Sequence, residues 1–223
     1  MVDIDPQGNA TSGLGVDKKS IRSSTYDCLI GDASIKDVII KTQVEKLDIV
    51  PSNIELAGAE VELVSTVSRE TRIKNALDEI KDVYDYVLID CPPSLGLLTL
   101  NALTASDSVL VPIQSEYYAL EGLSQLMNTI KLVQKHLNSA LKIEGVVMTM
   151  FDSRTNLSQQ VFEEVKNYYA DNIFNTVIPR NIRLSEAPSY GKPILLYDSK
   201  SKGAICYRKL ANELLQKNKE VKR

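Results

Sequence analysis

The run Tyr84-Asp-Tyr-Val-Leu-Ile-Asp90-Cys-Pro-Pro-Ser94 is a strong guide to the fold class of this 223-residue chain. Its centre, Val87-Leu88-Ile89, is apolar on consecutive residues, whereas a strand with one solvated face would alternate apolar and polar side chains. Pro92-Pro93 ends the strand because proline has no N–H to donate to a neighbour. A similar run follows at Val109-Leu110-Val111. Both predict strands buried on two faces, in a parallel sheet with helices on each side.

Working outward, short β-branched runs alternate with longer helical patterns, as in βαβ units. The predicted strands are Val2–Asp5, Leu47–Val50, Tyr86–Asp90, Ser108–Ile113, Gly145–Met150 and Thr176–Ile178. The predicted helices are Arg69–Lys81, Leu120–Leu137, Leu157–Tyr169 and Ala204–Gln216. The third helix has one apolar stripe at helical spacing, formed by Leu157, Val161, Val165 and Tyr168, and Asn156 is its candidate N-cap.

The composition is that of a globular protein, and it excludes collagen, coiled coil and wholesale disorder. Hydrophobic residues make up 43% and charged residues 25%. The net charge of −3 argues at face value against a nucleic-acid binder. However, residues 199–223 hold eight basic and two acidic residues, a net charge of +6, which leaves −9 for the rest.

The cysteines, the histidine and the hydropathy exclude several classes of site. Cys28, Cys91 and Cys206 lie far apart, so a disulfide framework or a zinc site is not expected, and a reducing compartment fits. The single histidine, His136, is predicted to lie on the surface near a helix C-terminus. No apolar run of about 18 residues is present, and we expect a cytoplasmic protein.

Acidic residues stand where two predicted strands end. Asp3-x-Asp5 closes the first strand before Pro6, and Asp90 closes the Tyr86–Asp90 strand. The carboxyl ends of parallel strands are where α/β proteins place ligands. An Asp at such a tip is typical of a Walker-B aspartate, which holds the Mg²⁺ of a nucleotide through water. The alternatives are a turn-forming role for Asp3 and Asp5 and a strand-capping role for Asp90.

Four blocks together resemble the ParA/Soj family of chromosome- and plasmid-partitioning ATPases, relatives of MinD among the deviant P-loop NTPases. They are D-I-D-P-Q-G-N-A-T-S-G-L-G (Asp3–Gly15), Y-D-Y-V-L-I-D-C-P-P-S-L-G (Tyr84–Gly96), E-Y-Y-A-L-E-G-L (Glu116–Leu123) and I-P-R-N-I-R-L-S-E-A-P-S-Y-G-K-P (Ile178–Pro193). The resemblance implies a doubly wound, mostly parallel α/β sheet of the P-loop NTPase type. It also implies one AAA-type, CbiA-like nucleotide-binding domain over residues 1–223, with the basic segment 199–223 at its end.

One departure from the family concerns the phosphate loop. A P-loop needs G-x-x-x-x-G-K-[ST], whose backbone N–H groups, Lys and hydroxyl hold the phosphates and Mg²⁺. Gly8-x-x-x-x-Gly13 continues as Leu14-Gly15, and Gly191-Lys192 runs into Pro193, so neither matches. Because the family places that loop before the D-x-D-P-Q strand, we expect an N-terminally incomplete form that lacks the first strand, the phosphate loop and the first helix.

The resemblance also implies roles for individual residues, with ATP and Mg²⁺ as cofactors. Asp5 corresponds to the switch-I aspartate that positions the attacking water. Asp3, at the same strand end, is expected to contact Mg²⁺ through water, and Asp90 matches the Walker-B aspartate that holds Mg²⁺ through water. Pro179 and Asn181 resemble the adenine-contacting loop. The alternative for each is a turn residue.

By the same resemblance, a homodimer would form on ATP, coat DNA non-specifically near the nucleoid, and be switched by a ParB/Spo0J-type partner. Basic residues expected to contact DNA are Arg154, Lys192, Lys200, Lys202 and Arg208. The alternative function is a non-hydrolytic fragment that acts only as a DNA- or partner-binding module. A MinD-like membrane role is disfavoured because the tail after Leu215 has only Val221 as an apolar residue. Cys91 is expected to pack, and Glu116-Tyr117-Tyr118 to serve the dimer or switch region.

Overall fold

A computed structural model of the chain describes residues 1–116, 119–169 and 172–221. These residues form two compact units, each built from several pieces of the chain. The first unit comprises Met1–Asp107, Thr129–Leu141 and Pro188–Lys192, and the second comprises Ser108–Asn128, Lys142–Ala187 and Pro193–Arg223. Tyr117 and Tyr118, with Lys222 and Arg223 of the basic segment, lie outside the described residues. A single domain over residues 1–223 stays a prediction.

The first unit contains four short strands in a mostly parallel arrangement. They are β1 (Val2–Asp3), β2 (Ile40–Lys41), β3 (Asp48–Ile49) and β4 (Ile89–Asp90). β4 runs parallel to β1, with Asp3 opposite Asp90. A parallel bridge between Val2 and Val50 places the end of β3 at the other edge of β1, and β2 pairs antiparallel with β3.

Helices pack against these strands through two apolar clusters. They are α1 (Asn9–Gly13), α2 (Thr25–Ile30), α3 (Ile35–Val38), α4 (Leu56–Glu62), α5 (Arg72–Asp78) and α6 (Leu97–Ala105). Ile4 lies in a cluster with Leu29 and Leu98, whereas Val2 packs with Ile35 and Ile80 in the other. The first strand is therefore the centre of this unit's core.

The second unit is built on one parallel strand pair. β5 (Ser108–Gln114) pairs with β6 (Lys142–Thr149), with an irregularity in register between Val109 and Leu110. Its helices are α8 (Asn156–Tyr169), α9 (Ile182–Glu186), α10 (Ile194–Tyr197) and α11 (Lys202–Val221). Helix α7 (Ala119–His136) contributes to both units. Val147 of β6 packs with Phe174, Ile178 and Leu210, so α11 covers one face of this pair.

Of two strand predictions, one was wrong in part and the other entirely. Only Ile89–Asp90 forms a strand within the predicted Tyr86–Asp90, and Leu88 is 58% exposed although its type predicts burial. The reason is that β4 pairs with β1 at one edge and, within the described residues, has no strand at the other. Thr176–Ile178 forms no strand, because the chain there meets β6 only at isolated points, such as the hydrogen bond from Ile178 N to Met148 O.

The prediction for α8 was correct in its range and wrong in its details. Val161 and Val165 are buried, but Leu157 and Tyr168 are exposed, so the apolar stripe covers only the middle of the helix. Asn156 is the first residue of the helix rather than its N-cap. The capping group is Thr155, whose Oγ1 accepts a hydrogen bond from Ser158 N at 3.3 Å.

Two further observations concern the helices. His136 ends α7 and is exposed, which confirms its predicted place near a helix C-terminus. Across the described residues, we find no helix that combines the length and the apolar character needed to cross a membrane.

Candidate functional site

Two parallel strands of the first unit carry acidic residues to the same edge of the sheet. Asp3 ends β1 and Asp90 ends β4, opposite each other in the register, and Asp5 follows two residues after Asp3. Burial raises the pKa of Asp90 to about 6, and the negative charges of Asp3 and Asp5 add to the effect. The structure thus brings together the three acidic residues that the sequence singled out.

Asp3 is fully buried, and both its carboxylate oxygens accept hydrogen bonds. Oδ1 accepts from Asp5 N at 3.2 Å, and Oδ2 accepts from Thr11 N at 2.8 Å and Thr11 Oγ1 at 2.6 Å. Burial raises the pKa of Asp3, while the hydrogen bonds from Thr11 and Asp5 oppose that rise. The expected contact of Asp3 with Mg²⁺ through water stays a prediction, but the visible role of this carboxylate is to hold the chain after β1.

Asp5 opens a tight turn. Its backbone oxygen accepts from Gly8 N at 2.9 Å, and its Oδ1 accepts from Gln7 N at 2.9 Å. Gly8 has φ +58°, and a Cβ there would lie 2.8 Å from the backbone oxygen of Ser52, so glycine is required. No donor among the described residues reaches Oδ2 of Asp5. The turn therefore presents a carboxylate oxygen that can accept a hydrogen bond from a water molecule.

The donor set at this edge suits Mg²⁺ bound together with a phosphate group. Mg²⁺ is usually held by one or two carboxylates, several waters and substrate phosphates rather than by a closed protein cage. In the described part of the chain, no three His, Cys, Asp or Glu side chains are close enough to hold a metal ion by themselves, although Asp3, Asp5 and Asp90 lie at one edge of the sheet. Asp90 is half-buried beside two other acidic residues, and a divalent cation would relieve their mutual repulsion.

Cys91 follows Asp90 but does not pack as predicted. The residue is exposed, because Pro92-Pro93 turns the chain away from the strand after Asp90. Cys28, Cys91 and Cys206 are all free cysteines in the structure.

Pro179 and Asn181 belong to the second unit. Phe151 and Pro179 form a parallel bridge beyond the end of β6. The side chain of Asn181 is the N-cap of α9, since its Oδ1 accepts from Arg183 N at 2.9 Å. The structure therefore gives Asn181 a local capping role, and the role of both residues in contacting adenine stays a prediction.

The basic residues expected to contact DNA differ in their ion pairing and in the unit to which they belong. Arg154 is 86% exposed, and its guanidinium donates to Asp152 Oδ1 at 2.9 Å and Oδ2 at 2.7 Å. This pairing holds the pKa of Asp152 well below its usual range. Lys192, Lys200, Lys202 and Arg208 are exposed. Lys192 belongs to the first unit, while the others lie in the second.

One cation of the basic segment, Lys217, contacts other residues of its own unit. Lys217 Nζ donates to Glu144 O at 2.8 Å and lies 4.8 Å from the centroid of the Phe174 ring. The net charge of +6 over residues 199–223 therefore overstates the charge that this segment presents to a ligand.

Sequence reasoning missed several residues around these sites. Thr11 and Ser52 are fully buried polar residues joined to the Asp5 turn; Thr11 lies within the Asp3–Gly15 block but was given no role, and Ser52 lies outside all four blocks. Arg180 and Arg183 are exposed, and Arg180 N donates to Phe151 O at 3.2 Å, which places Arg180 beside the segment that carries Arg154. Their i, i+3 spacing in I-P-R-N-I-R was the available signal.

Comparisons with known proteins give one consistent result. The profile of a family described as an AAA domain matches residues 1–143. The sporulation initiation inhibitor protein Soj of Bacillus subtilis is 64% identical over 214 residues, covering 96% of this chain and 85% of that protein. The chromosome partitioning protein ParA of Myxococcus xanthus is 54% identical over 218 residues, covering 98% of this chain and 77% of that protein.

The fold is also found among solved structures. Cobyrinic acid a,c-diamide synthase from Mycobacterium smegmatis, solved with a bound ATP analogue and magnesium, superposes with a TM-score of 0.84 and 40% sequence identity. The match covers 98% of this chain and 82% of that one.

Proposed function

The chain belongs to the ParA/Soj family of partitioning ATPases, which have the α/β fold of P-loop NTPases, and from this premise we propose a specific segregation cycle for it. In this cycle the protein binds Mg²⁺ and ATP, dimerises, coats DNA non-specifically, and releases it after a ParB/Spo0J-type partner stimulates hydrolysis. It would act in the cytoplasm at the nucleoid. The observation that carries the proposal is the meeting of Asp3, Asp5 and Asp90 at one sheet edge.

Asp90 is the residue that would hold Mg²⁺, through water. When bound, Mg²⁺ would neutralise the charge on the phosphates of ATP and on this acidic edge. The raised pKa of Asp90 supports the assignment, because the cost of its burial beside two acidic residues is offset by a cation.

Asp5 is the residue that would orient the attacking water. An ionised carboxylate only accepts hydrogen bonds, so it can hold a water by one O–H and direct the oxygen lone pair toward the γ-phosphorus. A bond then forms between the water oxygen and phosphorus, the bond from phosphorus to the leaving oxygen of ADP breaks, and the proton lost by the water passes to the Asp5 carboxylate or to the released phosphate. Within the part of the chain that the structure describes, no hydrogen-bond donor reaches Oδ2 of Asp5, which supports this role.

Binding to DNA would use the exposed cations of the second unit, and Lys192 of the first unit is a separate candidate contact. Arg154, Lys200, Lys202 and Arg208 would contact phosphates, which are the same in every sequence. Arg180, which lies beside the Arg154 segment, would extend this surface. Because the body of the chain is acidic, the contact would be confined to these residues.

The cycle is tested by measuring retention of duplex DNA of arbitrary sequence at rising salt, with the protein produced from its native gene. We expect retention to require Mg²⁺ and ATP and to fall steeply with salt, since each phosphate contact adds about 0.9 to the log–log slope. Lys202→Ala should lower that slope by about one such contact. Lys81→Ala, which removes an exposed lysine from the first unit, is the matched control.

If DNA is retained equally with and without ATP but less by Lys202→Ala, the result would support the alternative of a non-hydrolytic DNA-binding module. Retention that is equal for Lys202→Ala and Lys81→Ala would show that the basic segment does not contact DNA.

A further inference from the structure

Four polar residues form a closed circuit of hydrogen bonds around the backbone of Asp5. The Asp3 carboxylate accepts from Thr11 and from Asp5 N. Thr11 Oγ1 in turn accepts from Ser52 N at 2.9 Å, and Ser52 Oγ donates to Asp5 O at 2.7 Å. The circuit joins the ends of β1 and β3 to the first turn of α1.

Three of the four members of this circuit are shielded from water, and Asp5 is half-buried. Asp3, Thr11 and Ser52 are all fully buried. A hydrogen bond between buried groups is expensive to break, because water cannot replace the lost partner. Both the N–H and the C=O of Asp5 are thus held by groups that cannot relax into solvent.

We propose that Thr11 and Ser52 are positioning residues for hydrolysis, which act by fixing the backbone of Asp5 and thereby the direction of its carboxylate. The inference rests on the proposed role of Asp5. Neither residue would touch ATP or the water, since their hydroxyl groups are used within the circuit. Their contribution is geometric, because hydrolysis requires the water to be aligned with the γ-phosphorus.

Two variants remove one hydroxyl each, and a third restores it. Thr11→Val keeps the shape of the side chain but cannot donate to Asp3 or accept from Ser52. Ser52→Ala removes only the bond to Asp5 O. Thr11→Ser retains the hydroxyl. The matched control is Thr104→Val, since Thr104 is also buried in the first unit but donates to Leu100 O within α6.

Steady-state ATP hydrolysis and amide exchange are measured on the same variants, each made in the protein produced from its native gene. We expect Thr11→Val and Ser52→Ala to lower kcat by about 10- to 100-fold with KM for ATP unchanged, because misaligning a catalytic group affects the reaction more than binding. Thr11→Ser should recover most of the rate. Amide exchange over residues 1–12 should speed up in the two slow variants and stay unchanged in Thr104→Val.

The inference is overturned if Ser52→Ala and Thr11→Val match Thr104→Val in kcat while Asp5→Ala is inactive. If Asp5→Ala itself hydrolyses ATP at the wild-type rate, the proposed function of the site fails instead. The two failures are therefore distinguishable within one set of proteins.

Discussion

Glu213 illustrates how a single side chain organises a loop that the sequence described only loosely. Its Oε1 accepts from Asn175 N at 2.7 Å and Asn175 Nδ2 at 3.1 Å, and its Oε2 accepts from Thr176 N at 3.0 Å and Thr176 Oγ1 at 2.7 Å. Burial alone would raise the pKa of Glu213, but these bonds outweigh it and lower the pKa. The loop that leads to Pro179 is thus tied to α11.

A pH dependence of stability follows from this pKa. A lowered pKa means that the folded protein favours the ionised form, so the stabilisation is present above the ordinary pKa of 4.5 and is lost as the pH falls through the folded value. We expect Glu213→Gln to lower the free energy of unfolding by about 1–2 kcal/mol at pH 7, with a smaller difference at pH 3. Denaturant unfolding at a series of pH values measures this.

Glu163→Gln is the control, since Glu163 is exposed on α8. A difference between wild type and Glu213→Gln that is the same at pH 3 and pH 7 would contradict the assignment.

At the scale of elements, the start of α8 shows the limit of sequence patterns. Thr155 and Asn156 are adjacent, and both residue types are good N-caps, so the sequence alone does not show which of them caps the helix. The structure chooses Thr155, whose Oγ1 accepts from Ser158 N and also contacts Ser158 Oγ at 2.9 Å.

We expect Thr155→Ala to lower the free energy of unfolding by about 1 kcal/mol, because the first turn loses its capping acceptor. Asn156→Ala should be neutral or slightly stabilising, since alanine has the higher helix propensity. Thermal unfolding of the two variants gives the comparison. A larger loss of unfolding free energy in Asn156→Ala than in Thr155→Ala would show that Asn156 is the N-cap.

Some of the strands could also be predicted from the sequence, and others could not. The strands Ser108–Gln114 and Lys142–Thr149 were predicted as Ser108–Ile113 and Gly145–Met150, within three residues at either end, because each contains three consecutive apolar residues. Thr176–Ile178 failed because a strand needs a continuous partner, which sequence does not supply. Asp3, Asp5 and Asp90 were found because strand ends are visible in sequence, whereas Thr11 and Ser52 are recognised only by contacts across 41 residues of chain.

At the scale of the whole molecule, the net charge of −3 is the sum of acidic and basic residues that lie in different parts of the chain. Acidic residues gather at a sheet edge of the first unit, where they suit a magnesium nucleotide. Exposed cations are found on the 152–154, 180–183 and 199–209 segments of the second unit. Lys217 and Arg154 are partly committed to partners within the unit, so the cationic surface available to the proposed DNA contact is smaller than the sequence total indicates.

The proposed role of Asp5 is tested most directly by the rate of phosphate release at saturating Mg²⁺ and ATP, in the presence of duplex DNA. The rate is compared among wild type, Asp5→Ala and the control Asp85→Ala. Asp85 is an exposed acid before β4, away from the carboxyl end of the strand. We expect Asp5→Ala to lose about 100-fold or more in turnover and still bind ATP, while Asp85→Ala matches wild type. Turnover by Asp5→Ala at the wild-type rate would contradict the proposed role.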